Sequence, residues 1–224
     1  MSCEDLKQAL RSLLPPEVSF AVEDPRAEAT GLYPEERGAV ARAVPKRRRE
    51  FAAGRRAART ALAQLGQEPV PILAAQSRAP LWPKGFVGSI SHCDDLCLAV
   101  CARADAVLSL GVDIEARAVL PDSLHEAITT PNERDWLQQS DHVLPIDVFS
   151  AKESAFKAIY PISQKTMDFQ GFNIIPEAQG HFTAELRTAA APFALGARFP
   201  LLSARLKAHV LFVAILEGAP EKLL

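Results

Sequence analysis

Apolar residues along the chain recur with two periods, which predict a mixture of helices and strands. Spacings of three and four residues predict helices, whereas alternating or continuous short apolar runs predict strands. The predicted helices cover residues 4–14, 33–44, 45–65, 121–140 and 147–159, the last ended by Pro161. The predicted strands cover residues 17–22, 86–92, 96–102 and 107–115, with further strand-like runs towards the C terminus.

Each half of the chain contains helices followed by strands, and the two halves meet near residues 104–110. This order favours an α+β protein of two lobes with a cleft between them, since separate runs of helices and strands are typical of that class. We place the boundary between residues 1–107, the N-terminal lobe, and 108–224, the C-terminal lobe.

Composition excludes several classes of protein. Hydrophobic residues make up 48% of the chain and charged residues 23%, which argues against wholesale disorder. A net charge of −2 provides no global attraction for nucleic acid or anionic membrane. No apolar run approaches the roughly 18 residues of a membrane span, and the first residues lack the cationic-then-apolar order of a signal peptide. Three of the four cysteines crowd into residues 93–101, where we expect reduced, buried thiols and not a disulfide framework, iron–sulfur site or secreted protein.

Basic residues concentrate in one segment, residues 37–59, which suggests a local anion site. On a helix beginning at Pro45, three arginines border the apolar stripe instead of opposing it, namely Arg48, Arg55 and Arg59. Such residues can line the floor of a cleft and bind phosphates. The alternative is a solvated helix whose arginines extend their charged ends into water.

Two pairs of charged residues follow further along the chain. Asp113 and Glu115 lie on the same side of a predicted strand, about 7 Å apart, and could hold one hard cation. Glu153 and Lys157 are four residues apart on a predicted helix, where Glu153 could be a third metal ligand or a general base, and Lys157 could neutralise phosphate charge. An exposed strand face and an ordinary surface ion pair are the alternatives.

A hydroxyl and an imidazole, Ser91 and His92, end the predicted strand 86–92 and could donate to an anion. A structural histidine is the alternative.

Taken together, these segments resemble the 4′-phosphopantetheinyl transferases of the two-lobed type that includes Sfp and the enterobactin synthetase component D. The resemblance rests on GVDIE at 111–115, FSAKESAFKA at 149–158, GSISH at 88–92, RAPLWP at 78–83 and KRRREFAAGRRAAR at 46–59. It spans residues 34 to about 160.

The resemblance implies a fold of two pseudo-symmetric lobes, each a small antiparallel sheet packed with helices. It also implies a reaction: a carrier-protein serine attacks the β-phosphate of coenzyme A, phosphopantetheine is transferred, and 3′,5′-ADP leaves. Mg²⁺, or Mn²⁺, would be held by Asp113, Glu115 and Glu153. The catalytic residues would be Asp113, Glu153 and Lys157. Glu153 would deprotonate the serine and Lys157 would stabilise the leaving phosphate. The phosphates of coenzyme A would be bound by Arg47, Arg55, Arg78, Ser91, His92, Lys152 and Lys157.

The expected partners are apo acyl or peptidyl carrier proteins, in a monomeric cytoplasmic enzyme of secondary metabolism or siderophore synthesis. Two other functions remain open from the residues. An acid-x-acid pair with a lysine also suits a Mg²⁺-dependent phosphodiesterase or nuclease, and a basic helix suits a non-enzymatic adaptor for an acidic partner.

Overall fold

In a computed structural model, residues 3–218 form six α-helices and ten strands. The helices are α1 (Cys3–Leu13), α2 (Pro34–Arg37), α3 (Pro45–Gln64), α4 (Asp122–Ile128), α5 (Pro131–Leu137) and α6 (Pro145–Ser163). The strands are β1 (Val18–Glu23), β2 (Leu73–Ala74), β3 (Pro80–Leu81), β4 (Phe86–His92), β5 (Cys97–Arg103), β6 (Val107–Ala116), β7 (Phe172–Pro176), β8 (Phe182–Leu186), β9 (Arg198–Arg205) and β10 (His209–Glu217). None of the helices in this part of the chain has the length and apolar character needed to cross a membrane.

The strands pair into two main antiparallel sheets and a small hairpin. The first sheet has the order β1-β5-β4, the second has the order β6-β10-β9-β8-β7, and β2 pairs with β3. Because helices and antiparallel sheets occupy separate stretches of the chain, the predicted α+β class is confirmed.

The prediction was wrong at four elements. The helix expected over 121–140 is two short helices, α4 and α5, because Thr130 caps a new helix that begins at Pro131. The helix expected over 33–44 is only α2 and a short 3₁₀ turn, Gly38–Val40, because Glu36 folds back to accept from the backbone N–H of Tyr33 and of Ile72. The helix α6 continues through Pro161, since a proline in the last turn removes only one hydrogen bond. The strand β9 was not predicted because Pro200 interrupts its pattern.

The two main sheets meet where β4 lies beside β6, and two serine side chains join them there. Val112 N–H donates to Ser89 Oγ at 3.0 Å, and Ile114 N–H donates to Ser91 Oγ at 3.3 Å. Side chains spaced two residues apart on β4 therefore satisfy alternate backbone donors of β6. We refer to Ser89 and Ser91 with these bonds as the serine seam.

A shared apolar core lies behind the serine seam. It combines Leu98 and Val100 of the first sheet with Val112, Ile114 and Leu211 of the second, all fully buried. Because apolar burial dominates folding, the two sheets stabilise each other through this core. The boundary near residue 107 stays a prediction.

Two close approaches between helices and strands set the geometry of the cleft. A Cβ at Gly111 on β6 would overlap the backbone of Ser154 and Ala158, so only glycine lets α6 lie directly on this strand. A Cβ at Gly54 would lie 3.0 Å from Cγ2 of Ile90, so α3 packs tightly on β4. Both helices therefore bring their polar side chains to the place where the sheets meet.

Candidate active site

A cleft of about 310 Å³ opens where α3, β4, β6 and α6 come together. Ten polar or charged side chains line it, together with a few apolar ones. The polar set is Arg47, Glu50, Arg55, Arg78, Ser91, His92, Asp113, Glu115 and Lys157, joined by Glu153 from the middle of α6. Of the site residues that the resemblance implied, Lys152 alone does not line the cleft.

Asp113 is the most deeply buried carboxylate of the cleft, with 3% of its surface exposed. Its Oδ1 accepts from Lys157 Nζ at 2.7 Å and from Ser91 Oγ at 2.8 Å. Its Oδ2 is buried and has no hydrogen-bond partner, and an unpaired buried carboxylate oxygen is costly. Asp113 thus retains an acceptor that a cation can use.

Two further carboxylates, Glu115 and Glu153, are held close to Asp113 by β6 and α6. Burial, together with repulsion from Asp113, raises the pKa of Glu115 to about 7. Burial also raises the pKa of Glu153, and Lys157 offsets part of that shift. Carboxylates this close to one another repel when all are ionised. A bound cation would therefore stabilise their ionised forms.

The oxygens of Asp113, Glu115 and Glu153 lie too far apart to coordinate one ion without some movement. Within residues 3–218, the one group of three metal-ligand atoms that all lie within 4.8 Å of one another is that of Cys93, Asp95 and His209. Lys157 is the cation that contacts Asp113 directly. The chemistry of the set, three oxygen ligands of which one is buried and two are half-buried, nevertheless fits Mg²⁺ or Mn²⁺.

The opposite wall of the cleft is basic. Arg47 Nη1 lies 2.9 Å from His92 Nε2. Burial lowers the pKa of His92, and the neighbouring Glu50 offsets this only in part. Because arginine can only donate, His92 accepts through Nε2 as a neutral imidazole and keeps its proton on Nδ1. Glu50, which the sequence analysis did not select, lies 3.4 Å from Arg47 and holds its guanidinium on this wall.

Arg55 and Arg78 extend the basic wall from different elements. Arg55 lies beneath the cleft, 5% exposed, with its guanidinium 4.1 Å from the ring centre of Phe51 and its Nε donating to Ile72 O. Its Nη2 has no partner, and burial lowers its pKa to about 10. Arg78 lies in the turn between β2 and β3 and has a φ of +71°, a backbone conformation that residues other than glycine rarely adopt.

The helical projection selected two arginines that do not reach the cleft. Arg48 Nη2 donates to Ala41 O, and Arg59 Nη1 lies 2.6 Å from the buried carboxylate of Glu36. Placing the residues around the helix axis predicted the direction of each side chain. It could not predict that the loop before α3 covers the side on which Arg48 and Arg59 lie. Arg55 and Arg47 are the two arginines of α3 that line the cleft.

Lys152 is the one predicted phosphate ligand that the structure separates from the cleft. It is 1% exposed, and its Nζ contacts Glu133 Oε2 at 2.7 Å. Two backbone carbonyls, of Ile128 and Phe169, complete its hydrogen bonds at 2.8 Å. All three donors of the ammonium are therefore used inside the C-terminal half, and none points to the cleft. The expectation that Lys152 binds coenzyme A is corrected on this ground.

The expectation that the cysteines are buried, reduced residues holds in part. Cys97 and Cys101 are fully buried on β5 as free thiols, and burial raises the pKa of Cys97 to about 12. Cys93 is only half-buried and lies beside Asp95.

Comparisons with known proteins give the family that the chain resembles in sequence. Residues 35–102 match a family described as the 4′-phosphopantetheinyl transferase N-terminal domain, and residues 109–205 match the 4′-phosphopantetheinyl transferase superfamily. The chain is 35% identical over 184 residues to 4′-phosphopantetheinyl transferase Npt of Nocardia iowensis, which covers 81% of this chain and 79% of that protein.

Two further relatives share shorter stretches. The chain is 45% identical over 162 residues to 4′-phosphopantetheinyl transferase Svp of Streptomyces mobaraensis, covering 69% of this chain and 65% of the relative. It is 42% identical over 118 residues to enterobactin synthase component D of Salmonella typhi, covering 50% of this chain and 48% of that protein.

Proposed function

Because the chain belongs to the 4′-phosphopantetheinyl transferase superfamily, and is thus an enzyme that transfers phosphopantetheine to carrier proteins, we propose that the cleft between α3 and α6 is its active site. The observation that carries this proposal is the meeting of a basic wall and an acidic wall in one cleft. Coenzyme A supplies the negative charge for the first, and the carboxylates of the second attract a divalent cation.

The basic wall binds the phosphates of coenzyme A. Arg55 has an unpaired, buried Nη2, and Arg47 and Arg78 line the same cleft. Each charge-assisted hydrogen bond to a phosphate contributes about 1.5–3 kcal/mol. His92 contacts Arg47 and can donate to the pyrophosphate through Nδ1, whereas the one hydroxyl proton of Ser91 is donated to Asp113 and positions that carboxylate.

Glu153 accepts the proton of the attacking serine. Its pKa is raised by burial, and a more basic carboxylate is a better general base as long as it remains ionised. The serine oxygen forms a bond to the β-phosphorus, the bond from that phosphorus to the bridging oxygen breaks, and 3′,5′-ADP leaves. The proton passes to Glu153, directly or through water.

Lys157 neutralises the charge that develops on the leaving phosphate. Its side chain is 27% exposed and lines the cleft, and its ammonium is fixed by Asp113 Oδ1, Ser91 Oγ and Val112 O. Asp113, Glu115 and Glu153 would hold Mg²⁺ or Mn²⁺. A bound divalent ion would supply further stabilisation of charge on the pyrophosphate. The orphaned Oδ2 of Asp113 and the raised pKa of Glu115 support this ligand set.

The partner we propose is an acidic acyl or peptidyl carrier protein, acted on by a monomer in the cytoplasm. Four free cysteines support a reducing compartment. The phosphodiesterase and adaptor alternatives receive no support from the family comparisons.

Intact mass spectrometry of apo-carrier proteins incubated with coenzyme A and Mg²⁺ tests the proposal. We expect a gain of one phosphopantetheine with the parent enzyme, none with Glu153→Gln, and a gain slowed by about 10²–10³ with Lys157→Ala. Exposed residues outside the cleft provide matched controls, Glu68→Gln and Lys84→Ala, which should retain full transfer. Full transfer by both cleft variants would move the chemistry elsewhere in the fold.

A further inference from the structure

A second group of metal-ligating side chains lies outside the cleft, at the junction of the two sheets. Cys93 and Asp95 belong to the turn between β4 and β5, which is closed by a hydrogen bond from Cys93 N–H to Leu96 O. His209 is the first residue of β10 in the second sheet. None of the three lines the cleft.

The donor atoms of this group already face one another. His209 Nε2 lies 2.7 Å from Asp95 Oδ1, and Cys93 Sγ lies 3.3 Å from the same oxygen. All three donor atoms fall within 4.8 Å of one another. Bond lengths of about 2.0–2.3 Å around a tetrahedral zinc ion place its ligand atoms roughly 3.3–3.8 Å apart. Movements of about 1 Å or less would therefore bring the three atoms onto one ion.

Burial makes the group unusual for a surface ion pair. The His209 side chain is 4% exposed and its Nδ1 is buried without a partner, whereas Asp95 is 37% exposed. Burial works against a charged Asp95, yet the hydrogen bonds from His209 and Cys93 outweigh it, so the pKa of Asp95 lies below its ordinary value. The ionised carboxylate of Asp95 thus faces solvent on one side, and Cys93 Sγ and His209 Nε2 on the other.

We propose that Cys93, Asp95 and His209 form a binding site for a thiophilic divalent cation of the Zn²⁺ class, distinct from the oxygen site of the cleft. A sulfur, an imidazole nitrogen and one carboxylate oxygen are the donors that zinc prefers, and magnesium does not take such a set. A thiolate and a carboxylate balance the two charges of the ion. The open side at Asp95 leaves the fourth position to water.

A cation here would tie the turn after β4 to the start of β10, and so would link the two sheets. Burial raises the pKa of Cys93 to about 11, so in the metal-free protein the thiol is protonated and donates to Asp95. Binding replaces that proton by the metal ion, and the proton that His209 Nε2 donates to Asp95 must move to Nδ1 so that Nε2 is free to bind. The proposal concerns this second site alone and does not depend on the function of the cleft.

Titration with Co²⁺ in excess Mg²⁺ tests the site, because cobalt bound to a thiolate gives a charge-transfer band in the near ultraviolet. We expect a band that saturates at one equivalent and is lost in Cys93→Ser. Cys3→Ser, a half-buried thiol on α1, is the matched control and should keep the band. The cleft cannot mimic this signal, because no cysteine lines it.

Competition with Zn²⁺ and thermal denaturation give a second, independent readout. Asp95→Asn and His209→Gln should weaken Zn²⁺ binding by at least about tenfold. Zn²⁺ should raise the melting temperature of the parent protein and leave that of Cys93→Ser unchanged. If His209→Gln does not fold, the exposed Asp95→Asn still decides. Absence of a thiolate band, or Zn²⁺ binding equal in the parent and Cys93→Ser, would overturn the proposal.

Discussion

Two lysines on α6, five residues apart, make the same ionic contact in opposite surroundings. Lys152 Nζ lies 2.7 Å from Glu133, and Lys157 Nζ lies 2.7 Å from Asp113. The first pair is sealed: its side chains are 1% and 0% exposed, and Glu133 also accepts from Thr130 N–H and Ile174 N–H. The second pair opens to the cleft, with Lys157 27% exposed and Asp113 Oδ2 unpaired.

The distance between charges therefore does not distinguish a structural ion pair from a functional one. Both ammonium groups have three acceptors, so what differs is that the Lys157 side chain reaches solvent and that its partner, Asp113, keeps an unpaired oxygen for a ligand. Lys152 joins α4, α5, the segment before β7 and α6 at one point, next in sequence to Glu153. It fixes the helix from inside, while Glu153 and Lys157 face outward to the cleft.

The largest effect should come from breaking the sealed pair. Lys152→Met leaves Glu133 buried without its partner, which costs about 3–5 kcal/mol of unfolding free energy. Urea denaturation followed by circular dichroism measures the loss. Lys152→Met combined with Glu133→Gln should recover part of it, because the unpaired charge is removed while the amide oxygen still accepts from one of the two backbone N–H groups. A double variant no more stable than Lys152→Met would show that the hydrogen bonds of Glu133 matter more than its charge.

Removing the open lysine should affect catalysis instead of folding. Lys157→Ala should lower kcat by about 10²–10³, the usual cost of removing one group that stabilises transition-state charge. Its denaturation midpoint should stay close to that of the parent. Single-turnover transfer with saturating coenzyme A measures the rate. A collapse of stability with unchanged kcat would make Lys157 structural, like Lys152.

The same contrast applies to the arginines of α3. Arg55→Ala should weaken coenzyme A binding about 10- to 100-fold, since a charge-assisted phosphate contact is lost. Arg48→Ala is the control from the same helix, because its guanidinium contacts Ala41 O away from the cleft. Isothermal titration calorimetry compares the two. Equal losses would indicate a diffuse electrostatic effect of the whole segment 37–59.

The smallest expected effect is a change in the pH dependence of stability, which comes from Glu115. Glu115 has a pKa raised to about 7 by burial, so the folded, metal-free protein holds a proton that the unfolded chain releases at lower pH. Stability from this group is therefore lost as pH rises from about 4.5 towards 7. Mg²⁺ should raise the melting temperature by a few degrees more at pH 8 than at pH 6. Glu115→Gln should reduce this pH difference, as scanning fluorimetry can check, and the part that remains would come from Glu153, whose pKa is also raised.

Sequence patterns predicted most of what builds the cleft. The apolar periods located α3, β4, β5 and β6, and short motifs selected Asp113, Glu115, Glu153, Lys157 and His92, all of which line the cleft. These residues are recognisable because neighbouring positions on one element bring them together. The same reasoning failed where a partner comes from a distant segment.

Three such failures share one cause. Lys152 stands beside Glu153 in sequence, but its partner Glu133 lies 19 residues upstream, and no local pattern connects them. Arg59 points at Glu36, whose burial depends on a contact with Ile72. Asp95 reaches His209 across 114 residues. Tertiary contacts of this kind follow only from the packing of the two sheets.

The serine seam bears on how the protein unfolds. Since Ser89 and Ser91 complete the backbone hydrogen bonds of β6, and the core behind them draws on both sheets, neither half keeps its polar groups satisfied without the other. Melting should then be a single cooperative transition, with equal calorimetric and van't Hoff enthalpies. Proteolytic fragments of either half should lack stable structure. The cleft would exist only in fully folded molecules, so partially folded chains in the cell could not sequester coenzyme A.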